Sequence, residues 1–273
     1  MNEQKGDLGS PIALGRTAEL YSWGERQVLK LFRDGWPGEW VEGEARLARL
    51  VLASGLSAPA VGELVKLHDR LGLVYERLEG PSLLRDMSSK PWRLLPAARL
   101  LAELHAGIHE RLAPQFPAQR QSLASKIQRG TGLSLADREA ALELLDRLPD
   151  GERLCHGDFH PDNILMTSRG PVIIDWMNAA FGNPLADVAR TSLLIQVGTP
   201  ASGRAVRWLL LFGRRWFHQV YLDRYFQLRP DGREQLDAWL ALNAAARLAE
   251  GIAEEQERLV AIVREHLASG ILT

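Results

Sequence analysis

Several features that would assign this chain to a special class are scarce in its sequence. Its 273 residues include one cysteine, Cys155, so the chain cannot form an intramolecular disulfide. Its 33 basic and 34 acidic residues leave a net charge of −1, which is too small to draw a protein to nucleic acid or anionic lipid. No apolar run approaches the roughly 18 residues of a membrane span, and no secretory signal pattern opens the chain. We therefore expect a cytoplasmic protein with neither nucleic acid nor membrane as a partner.

The composition is that of an ordinary globular protein, with 46% hydrophobic and 25% charged residues. At roughly 150 residues per domain, the length predicts about two structural units. We expect residues 1–10, which are polar and contain two glycines, to lie outside regular structure. After them the sequence predicts a small β-rich part, with strands at 12–14, 19–22 and 27–32, a helix at 40–53, and a hairpin at 61–67 and 71–76.

A break at Gly80 and Pro81 separates this part from the rest of the chain. It predicts a boundary between an N-terminal lobe of residues 1–79 and a C-terminal lobe of residues 80–273. Beyond the break most of the sequence has the apolar spacing of helices, and only residues 171–176 have a strong strand pattern. Helical spacing predicts helices at 94–108, 135–148, 184–197, 204–226 and 233–267, the last with interruptions.

The segment from Cys155 to Trp176, which reads CHGDFHPDNILMTSRGPVIIDW, carries the most informative chemistry. Asp158 lies five positions before Asn163, and Asp175 follows an apolar run. Phosphoryl transfer needs a hydroxyl held in line and a Mg²⁺ ion that neutralises charge on the phosphate oxygens. Asp158 could accept the hydroxyl proton, while Asn163 and Asp175 offer the hard oxygen ligands that Mg²⁺ prefers. The alternative is a tight turn followed by a capping Asp or Asn.

Two strings in this segment resemble the aminoglycoside phosphotransferase and choline kinase family. The first, HGDxHxxN, is matched by residues 156–163, and the second, IDW, by residues 174–176. Eukaryotic protein kinases have Arg where this chain has Gly157, so the resemblance favours a small-molecule kinase. It implies an α+β, bilobal, protein-kinase-like fold, with a small antiparallel β-sheet lobe that binds the nucleotide and a larger, mostly helical lobe for catalysis and acceptor binding. ATP and Mg²⁺ are the cofactors that it implies.

Lys30, in the string VLKLF, alternates inward on a predicted strand, where an unpaired ammonium would be costly to bury. Glu44, on the following helix, can pair with it and hold it beside the ATP phosphates. Glu42 is the competing partner, and Glu44 is preferred because GEARLARL resembles the matching helix of the family. The alternative for Lys30 is a surface lysine whose stem alone is covered.

Other nucleotide contacts are implied by the resemblance alone. Gly15 and Thr17, in GRTAELY, occupy the place of the loop over the phosphates, although this loop lacks the GxGxxG pattern of protein kinases. Glu76 to Leu78 should form the hinge, where backbone groups read the adenine edge. Downstream, the resemblance gives Asp187, in GNPLADVAR, a structural role that braces the catalytic loop, and makes His105, in LAELHA, a packed core histidine.

The acceptor side is indicated by one acidic face. Glu250, Glu254 and Glu257 fall at helical spacing with Arg247, and such a face would attract a cationic amino-sugar if it borders the cleft. A solvated surface of ion pairs is the alternative. The expected function is ATP- and Mg²⁺-dependent phosphorylation of a small-molecule acceptor, first an aminoglycoside or related amino-sugar. The alternatives are a kinase of another metabolite (choline, fructosamine, methylthioribose or homoserine type) and a nucleotide-binding pseudokinase.

Overall fold

The computed structural model describes residues 2–3, 8–67, 69–197 and 206–268, and side chains within them except those of 2–3, 206–212 and 268. The chain forms two compact units. The first consists of residues 1–82 and 162–177, and the second of residues 83–161 and 178–273. The segment 162–177, which includes Asn163 and Asp175, therefore packs with the N-terminal part of the chain.

A six-stranded sheet forms most of the first unit. Its strands are β1 (Asn2–Glu3), β2 (Ala13–Leu14), β3 (Ala18–Trp23), β4 (Gln27–Phe32), β5 (Val61–Leu67) and β6 (Arg70–Glu76), in the order β1-β5-β6-β4-β3-β2. All neighbours are antiparallel except β1, which runs parallel to β5. The expectation of no regular structure in residues 1–10 is therefore wrong for β1. An exposed sheet edge pairs through backbone groups, so β1 needs no side-chain pattern.

Helix α1 (Gly38–Ala53) packs on one face of this sheet. It begins after Pro37 and ends before Gly55, whose φ of 78° suits glycine. Strand side chains alternate between the two faces, so Leu29 and Leu31 pack away from α1, whereas Phe32 packs beneath it with Val41 and Ala45. Lys30 shares the face of Phe32, and the alternation aims it toward α1.

The segment 162–177 adds a hairpin to the first unit, made of β8 (Ile164–Thr167) and β9 (Gly170–Ile173). The sequence pattern indicated only the second strand, which ends three residues earlier than expected. The Met166 N–H donates to the Pro81 carbonyl at 2.9 Å. A side chain at Gly80, which has a φ of 147°, would clash with the Met166 carbonyl, so glycine is needed at this close approach.

The second unit is mainly helical. Its helices are α2 (Leu83–Ser89), α3 (Leu94–Ile108), α4 (Gln119–Arg129), α5 (Leu135–Arg147), α6 (Pro184–Val197), α7 (Val206–Leu228), α8 (Leu236–Arg247) and α9 (Ala253–Ala268). Two short strands, β7 (Arg153–Cys155) and β10 (Ala180–Gly182), pair antiparallel. Helix α3 packs against α7, while α4 and α6 both pack against α8. The prediction that this part is mostly helical is confirmed, and so is the α+β class. Helices α2 and α4 were not predicted.

Cys155, at the end of β7, is fully buried. Burial raises the pKa of its thiol well above the usual range, and the charge of Asp187 raises it further. The thiol therefore stays protonated, which excludes a nucleophilic role for this residue. Within the described ranges, no helix combines the length and the apolar character needed to cross a bilayer.

Candidate active site

The Lys30 ammonium is the centre of a charged cluster in the first unit. It donates to Glu44 Oε1 at 2.7 Å and to Asp175 Oδ1 at 3.1 Å. Tyr75 donates its hydroxyl to the same Glu44 oxygen at 2.7 Å. Glu42, the competing partner on α1, is exposed to solvent. The structure therefore brings the predicted cation together with its preferred carboxylate, and adds Tyr75, which no motif indicated.

This cluster holds Lys30 in its charged form. Burial lowers the pKa of Lys30, but the charges of Asp175 and Glu44 outweigh it and leave the pKa above the ordinary value. Glu44 is itself buried, with 3% of its surface exposed. A buried carboxylate without a cation would be strongly unfavourable, so Glu44 and Lys30 each require the other. The pair keeps the Lys30 ammonium charged and in place on β4, an inner strand of the sheet.

Asp175 and Asn163 lie at one end of the β8–β9 hairpin. The Ile174 N–H donates to the Asn163 carbonyl at 3.0 Å, which extends the hairpin register to the residue before Asp175. Asp175 has a φ of 63°, a left-handed conformation that is uncommon outside glycine and is found often at functional sites. A carboxylate and an amide oxygen at one end of a hairpin match the oxygen ligands of Mg²⁺, so these residues fit the metal implied by the sequence.

Asp158 lies in the loop after β7, in the second unit. Arg190 Nη2 donates to Asp158 Oδ1 at 3.0 Å, and His160 Nε2 lies 3.7 Å from Asp158 Oδ2. Burial raises the pKa of Asp158, but the nearby His160 imidazole and the charge of Arg190 outweigh burial and bring the pKa below the usual range. The carboxylate is therefore ionised at neutral pH.

Helix α6 holds this loop with three side chains from one helical face. Asp187 accepts hydrogen bonds from the backbone N–H groups of His156 at 2.6 Å and Gly157 at 2.8 Å. Three and four residues further along α6, Arg190 contacts Asp158, and Thr191 donates to the Phe159 carbonyl at 2.8 Å. Residues at this spacing lie side by side on a helix. The loop conformation is therefore set by α6.

The Asp187 carboxylate also binds His105 of α3 and His109, which directly follows that helix. His105 Nε2 lies 3.1 Å, and His109 Nε2 3.3 Å, from Asp187 Oδ2. The other ring nitrogens bond to hydroxyls of α7 at 2.7 Å, His105 Nδ1 to Tyr221 and His109 Nδ1 to Tyr225. In the neutral form of each ring, Nε2–H donates to the ionised Asp187 and Nδ1 accepts from a tyrosine.

This network leaves every ring nitrogen with a hydrogen-bond partner. His105, His109 and Asp187 have donor atoms close enough to hold a metal ion, but hydrogen bonds satisfy them all without one. Burial, followed by the nearby His105, lowers the pKa of His109 to about 3. The packed role predicted for His105 agrees with this geometry. His109 and the two tyrosines were missed, although His105–His109 and Tyr221–Tyr225 share a spacing of four residues.

Acid should destabilise the fold through buried histidines. His109 has a pKa of about 3, and burial lowers the pKa of His218 to about 4, whereas a histidine in the unfolded chain has a pKa of about 6.5. The unfolded chain therefore binds more protons below about pH 6.5, and stability falls with decreasing pH. We expect the free energy of unfolding to lose about 1.4 kcal/mol per pH unit for each of the two histidines between pH 6 and pH 4.5.

Urea unfolding at a series of pH values measures this slope. His218→Gln removes one of the two histidines that take up a proton on unfolding. The free energy of unfolding should therefore depend about half as steeply on pH between pH 6 and pH 4.5. A slope that is unchanged in His218→Gln, or stability that does not fall below pH 6, would contradict the burial of neutral imidazoles.

Gly15 and Thr17, which are predicted to cover the nucleotide phosphates, lie between β2 and β3. Gly15 donates to the Ala18 carbonyl at 2.9 Å in a tight turn between β2 and β3. The Arg33 side chain donates to the Gly15 carbonyl at 2.9 Å, and the Arg33 N–H donates to the Thr17 carbonyl at 3.0 Å. This loop is thus tied to the residue that follows β4. Its contact with a nucleotide stays a prediction.

Glu76 ends β6, and Leu78 follows it half-buried. The Glu76 carboxylate accepts from Arg169 at 2.6 Å and from the Ala60 N–H at 3.2 Å. Its side chain is therefore engaged within the protein, which leaves the backbone of residues 76–78 as the part that could meet an adenine. That role also stays a prediction.

The acidic face expected for the acceptor is not a single helical face. Gly251, with a φ of 66°, separates the short 3-10 helix Leu248–Glu250 from α9. Glu250 accepts from Arg190 at 2.7 Å through Oε1 and from Arg247 at 3.0 Å through Oε2. Glu254 is exposed in the first turn of α9. The two glutamates proposed from the sequence therefore have different surroundings.

The α+β fold and these clusters place the protein among the small-molecule phosphotransferases with a kinase-like fold. The chain belongs to the phosphotransferase enzyme family (APH), whose sequence profile matches residues 10–220. A search of curated protein sequences found no match. The resemblance inferred from the HGDxHxxN and IDW strings is confirmed.

Solved structures of the same fold include an aminoglycoside phosphotransferase, an amicoumacin kinase and a choline/ethanolamine kinase family protein. A thermostable mutant of aminoglycoside phosphotransferase APH(4)-Ia, in a ternary complex with AMP-PNP and hygromycin B, is 18% identical, with a TM-score of 0.66 over 97% of this chain and 94% of that one. Amicoumacin kinase hAmiN, in complex with AMP-PNP, Ca²⁺ and Ami, is 14% identical, with a TM-score of 0.61 over 98% of this chain and 90% of that one. A choline/ethanolamine kinase family protein from Mesorhizobium loti is 16% identical, with a TM-score of 0.60 over 97% and 90%.

Proposed function

We propose that this protein transfers the γ-phosphate of ATP to a hydroxyl group of a small molecule, with Mg²⁺ as the metal. The observation that carries the proposal is the position of Lys30, whose ammonium contacts both Glu44 and Asp175. A candidate phosphate-binding cation and a candidate metal ligand thus belong to one cluster, as ATP-dependent phosphoryl transfer requires.

Each residue of this cluster has a distinct role in the proposal. Lys30 binds the ATP phosphates, and Glu44 keeps its ammonium charged and directed. Asn163 and Asp175 would hold Mg²⁺, which would supply positive charge against the phosphate oxygens. Backbone groups near Gly15 and Thr17 cover the phosphates, and those of Glu76 to Leu78 read the adenine.

Asp158 acts on the acceptor in this proposal. Its low pKa makes it a weak base toward a free hydroxyl, so it orients the hydroxyl by accepting a hydrogen bond. It then takes the proton late, when the oxygen has begun to bond to phosphorus and has become more acidic. This order fits the loose transition state of phosphoryl transfer, in which the attacking group needs positioning more than activation.

The acceptor proposed first is an aminoglycoside or a related amino-sugar. The family assignment and the exposed Glu254 carboxylate support it, because an accessible carboxylate attracts an ammonium group. A second candidate is a less cationic metabolite, of the choline, fructosamine, methylthioribose or homoserine type. The pairing of Glu250 with two arginines favours this second class, because it removes one carboxylate from the set that would bind a polycation.

An acceptor panel tests the proposal. The purified protein is incubated with Mg-ATP and kanamycin, hygromycin B, glucosamine, choline, fructosamine, methylthioribose or homoserine, and ADP release is measured. Turnover that depends on one acceptor supports the proposed reaction and names its class. ATP binding without turnover on any acceptor would favour a nucleotide-binding pseudokinase, and absence of both would overturn the proposal.

Replacing Lys30 should weaken the use of ATP. In Lys30→Ala the nucleotide phosphates lose a charge-assisted contact, and such contacts contribute about 1.5–3 kcal/mol. We expect kcat/KM for ATP to fall about ten- to hundredfold. Lys66→Ala, which removes a lysine from β5 in the same sheet, is the matched control and should leave kcat/KM unchanged. Equal effects of both substitutions would contradict a specific role for Lys30.

A further inference from the structure

A chain of alternating charges starts at Asp158 and runs into the second unit. Arg190 Nη2 lies 3.0 Å from Asp158 Oδ1 and 2.7 Å from Glu250 Oε1. Arg247 then contacts Glu250 Oε2 at 3.0 Å and both oxygens of Glu255, at 2.5 and 2.9 Å. The chain connects the loop after β7 with α6, α8, the 3-10 helix Leu248–Glu250 and α9.

The inner members of this chain are fixed by burial. Glu255 is 1% exposed and Arg247 is 6% exposed, and the fork of Arg247 meets the Glu255 carboxylate in a bidentate pair. A buried bidentate pair has little rotational freedom, so Arg247 presents its remaining N–H group to Glu250 in one direction. Arg247 therefore holds Glu250 in contact with Arg190.

Glu250 has both carboxylate oxygens engaged in this arrangement. One oxygen accepts from Arg190 and the other from Arg247. An acceptor ammonium would have to compete with two guanidinium groups for it, at a place where Lys126 of α4 adds further positive charge close to Arg190. The charge balance around Glu250 therefore disfavours direct binding of a cationic acceptor.

We propose that Glu250 is a positioning residue, which holds the Arg190 guanidinium against the Asp158 carboxylate while the Arg247–Glu255 pair fixes Glu250. The proposal rests on the proposed function, in which Asp158 orients the acceptor hydroxyl. Glu250 then contributes to turnover through Arg190 and does not contact the acceptor.

The test compares three variants: Glu250→Gln, Arg190→Gln and the double variant. Each is assayed with Mg-ATP and whichever acceptor of the panel above gives the most ADP. In Glu250→Gln we expect kcat to fall about tenfold, with KM for the acceptor changed less than about threefold. Glu250→Asp, which keeps the charge, should recover part of the loss, and Glu265→Gln, at an exposed position of α9, should behave as the wild type.

The double variant shows whether Glu250 acts through Arg190. If it does, removing Glu250 from Arg190→Gln should cost little more than Arg190→Gln alone. Circular dichroism and thermal unfolding establish that each variant is folded. If Arg190→Gln is not folded, Arg190→Met, which is also uncharged and of similar length, replaces it.

The pH profile gives an independent result for Arg190. The titratable and charged groups that face Asp158 in the described part of the chain are Arg190, His160, His156, Lys126 and, through Arg190, Glu250. Arg190→Gln removes the cation in contact with Asp158, so the pKa of Asp158 should rise toward its ordinary value, and the acid limb of kcat/KM that Asp158 sets should move to higher pH. A role in folding alone would leave this limb in place.

If the wild type is active, two results would overturn this inference and leave the proposed function intact. These are a Glu250→Gln variant in which KM rises while kcat is unchanged, and additive effects in the double variant. A wild type without turnover on any acceptor would instead overturn the proposed function, and this inference with it.

Discussion

Asp158→Asn is expected to lower kcat by about 10²–10⁴-fold, the range observed when a general base is removed. Asparagine keeps the size of the side chain and can still accept a hydrogen bond from Arg190, so the loop should stay folded. It cannot take a proton at the pH of the assay, and it carries no charge to orient an acceptor hydroxyl. KM for ATP should change little, because the residues proposed for the nucleotide belong to the Lys30 cluster.

Steady-state kinetics at saturating ATP measures this effect. Asp146→Asn, an exposed position of α5, is the matched control and should retain wild-type activity. Thermal unfolding separates a loss of chemistry from a loss of folded protein. An Asp158→Asn variant that is folded and within threefold of wild-type kcat would exclude Asp158 as the base.

Asp187→Asn is expected to reduce the free energy of unfolding by about 3–5 kcal/mol. The carboxylate is fully buried and accepts from four donors, namely two backbone N–H groups and two imidazoles. An asparagine amide has to direct its NH₂ group at one or more of these donors, whichever way it is turned. Hydrogen bonds to a charged group contribute about 1.5–3 kcal/mol each, so the loss of two accounts for the expected change.

Urea unfolding at neutral pH measures this change, and Asp146→Asn, which should stay within about 0.5 kcal/mol of the wild type, again serves as the control. Activity per folded molecule should also fall, because Asp187 fixes the backbone of residues 156–157 immediately before Asp158. A loss of stability below about 1 kcal/mol would mean that the four hydrogen bonds are not maintained in solution.

Local sequence patterns predicted most elements of the first unit. Alternating apolar residues in β4 and the three-to-four spacing of α1 reflect burial against a single neighbouring layer, which sequence patterns record well. The same alternation directed Lys30 toward the helix that carries Glu44. Strand β1 was missed because edge pairing uses backbone groups. Helix α4 was missed because only Leu123 and Ile127 of its side chains are buried hydrophobic residues, which is too few to produce a clear period.

The buried network around Asp187 was only partly accessible from the sequence. The position of Asp187 was implied by the family strings, but its imidazole partners contact tyrosines 116 residues away along the chain. Contacts over such separations depend on how α3 packs against α7, which no local pattern encodes. The same holds for Glu250, whose surroundings depend on the packing of α6 and α8 and on the break at Gly251.

The single thiol of this protein offers a practical probe of its conformational stability. Cys155 is fully buried and its pKa is raised, so alkylating reagents should not reach it while the second unit is closed. Its rate of alkylation would then report the opening of the strand that precedes the catalytic loop. A cysteine introduced at an exposed position could be labelled selectively in the native protein, with no need to remove the natural one.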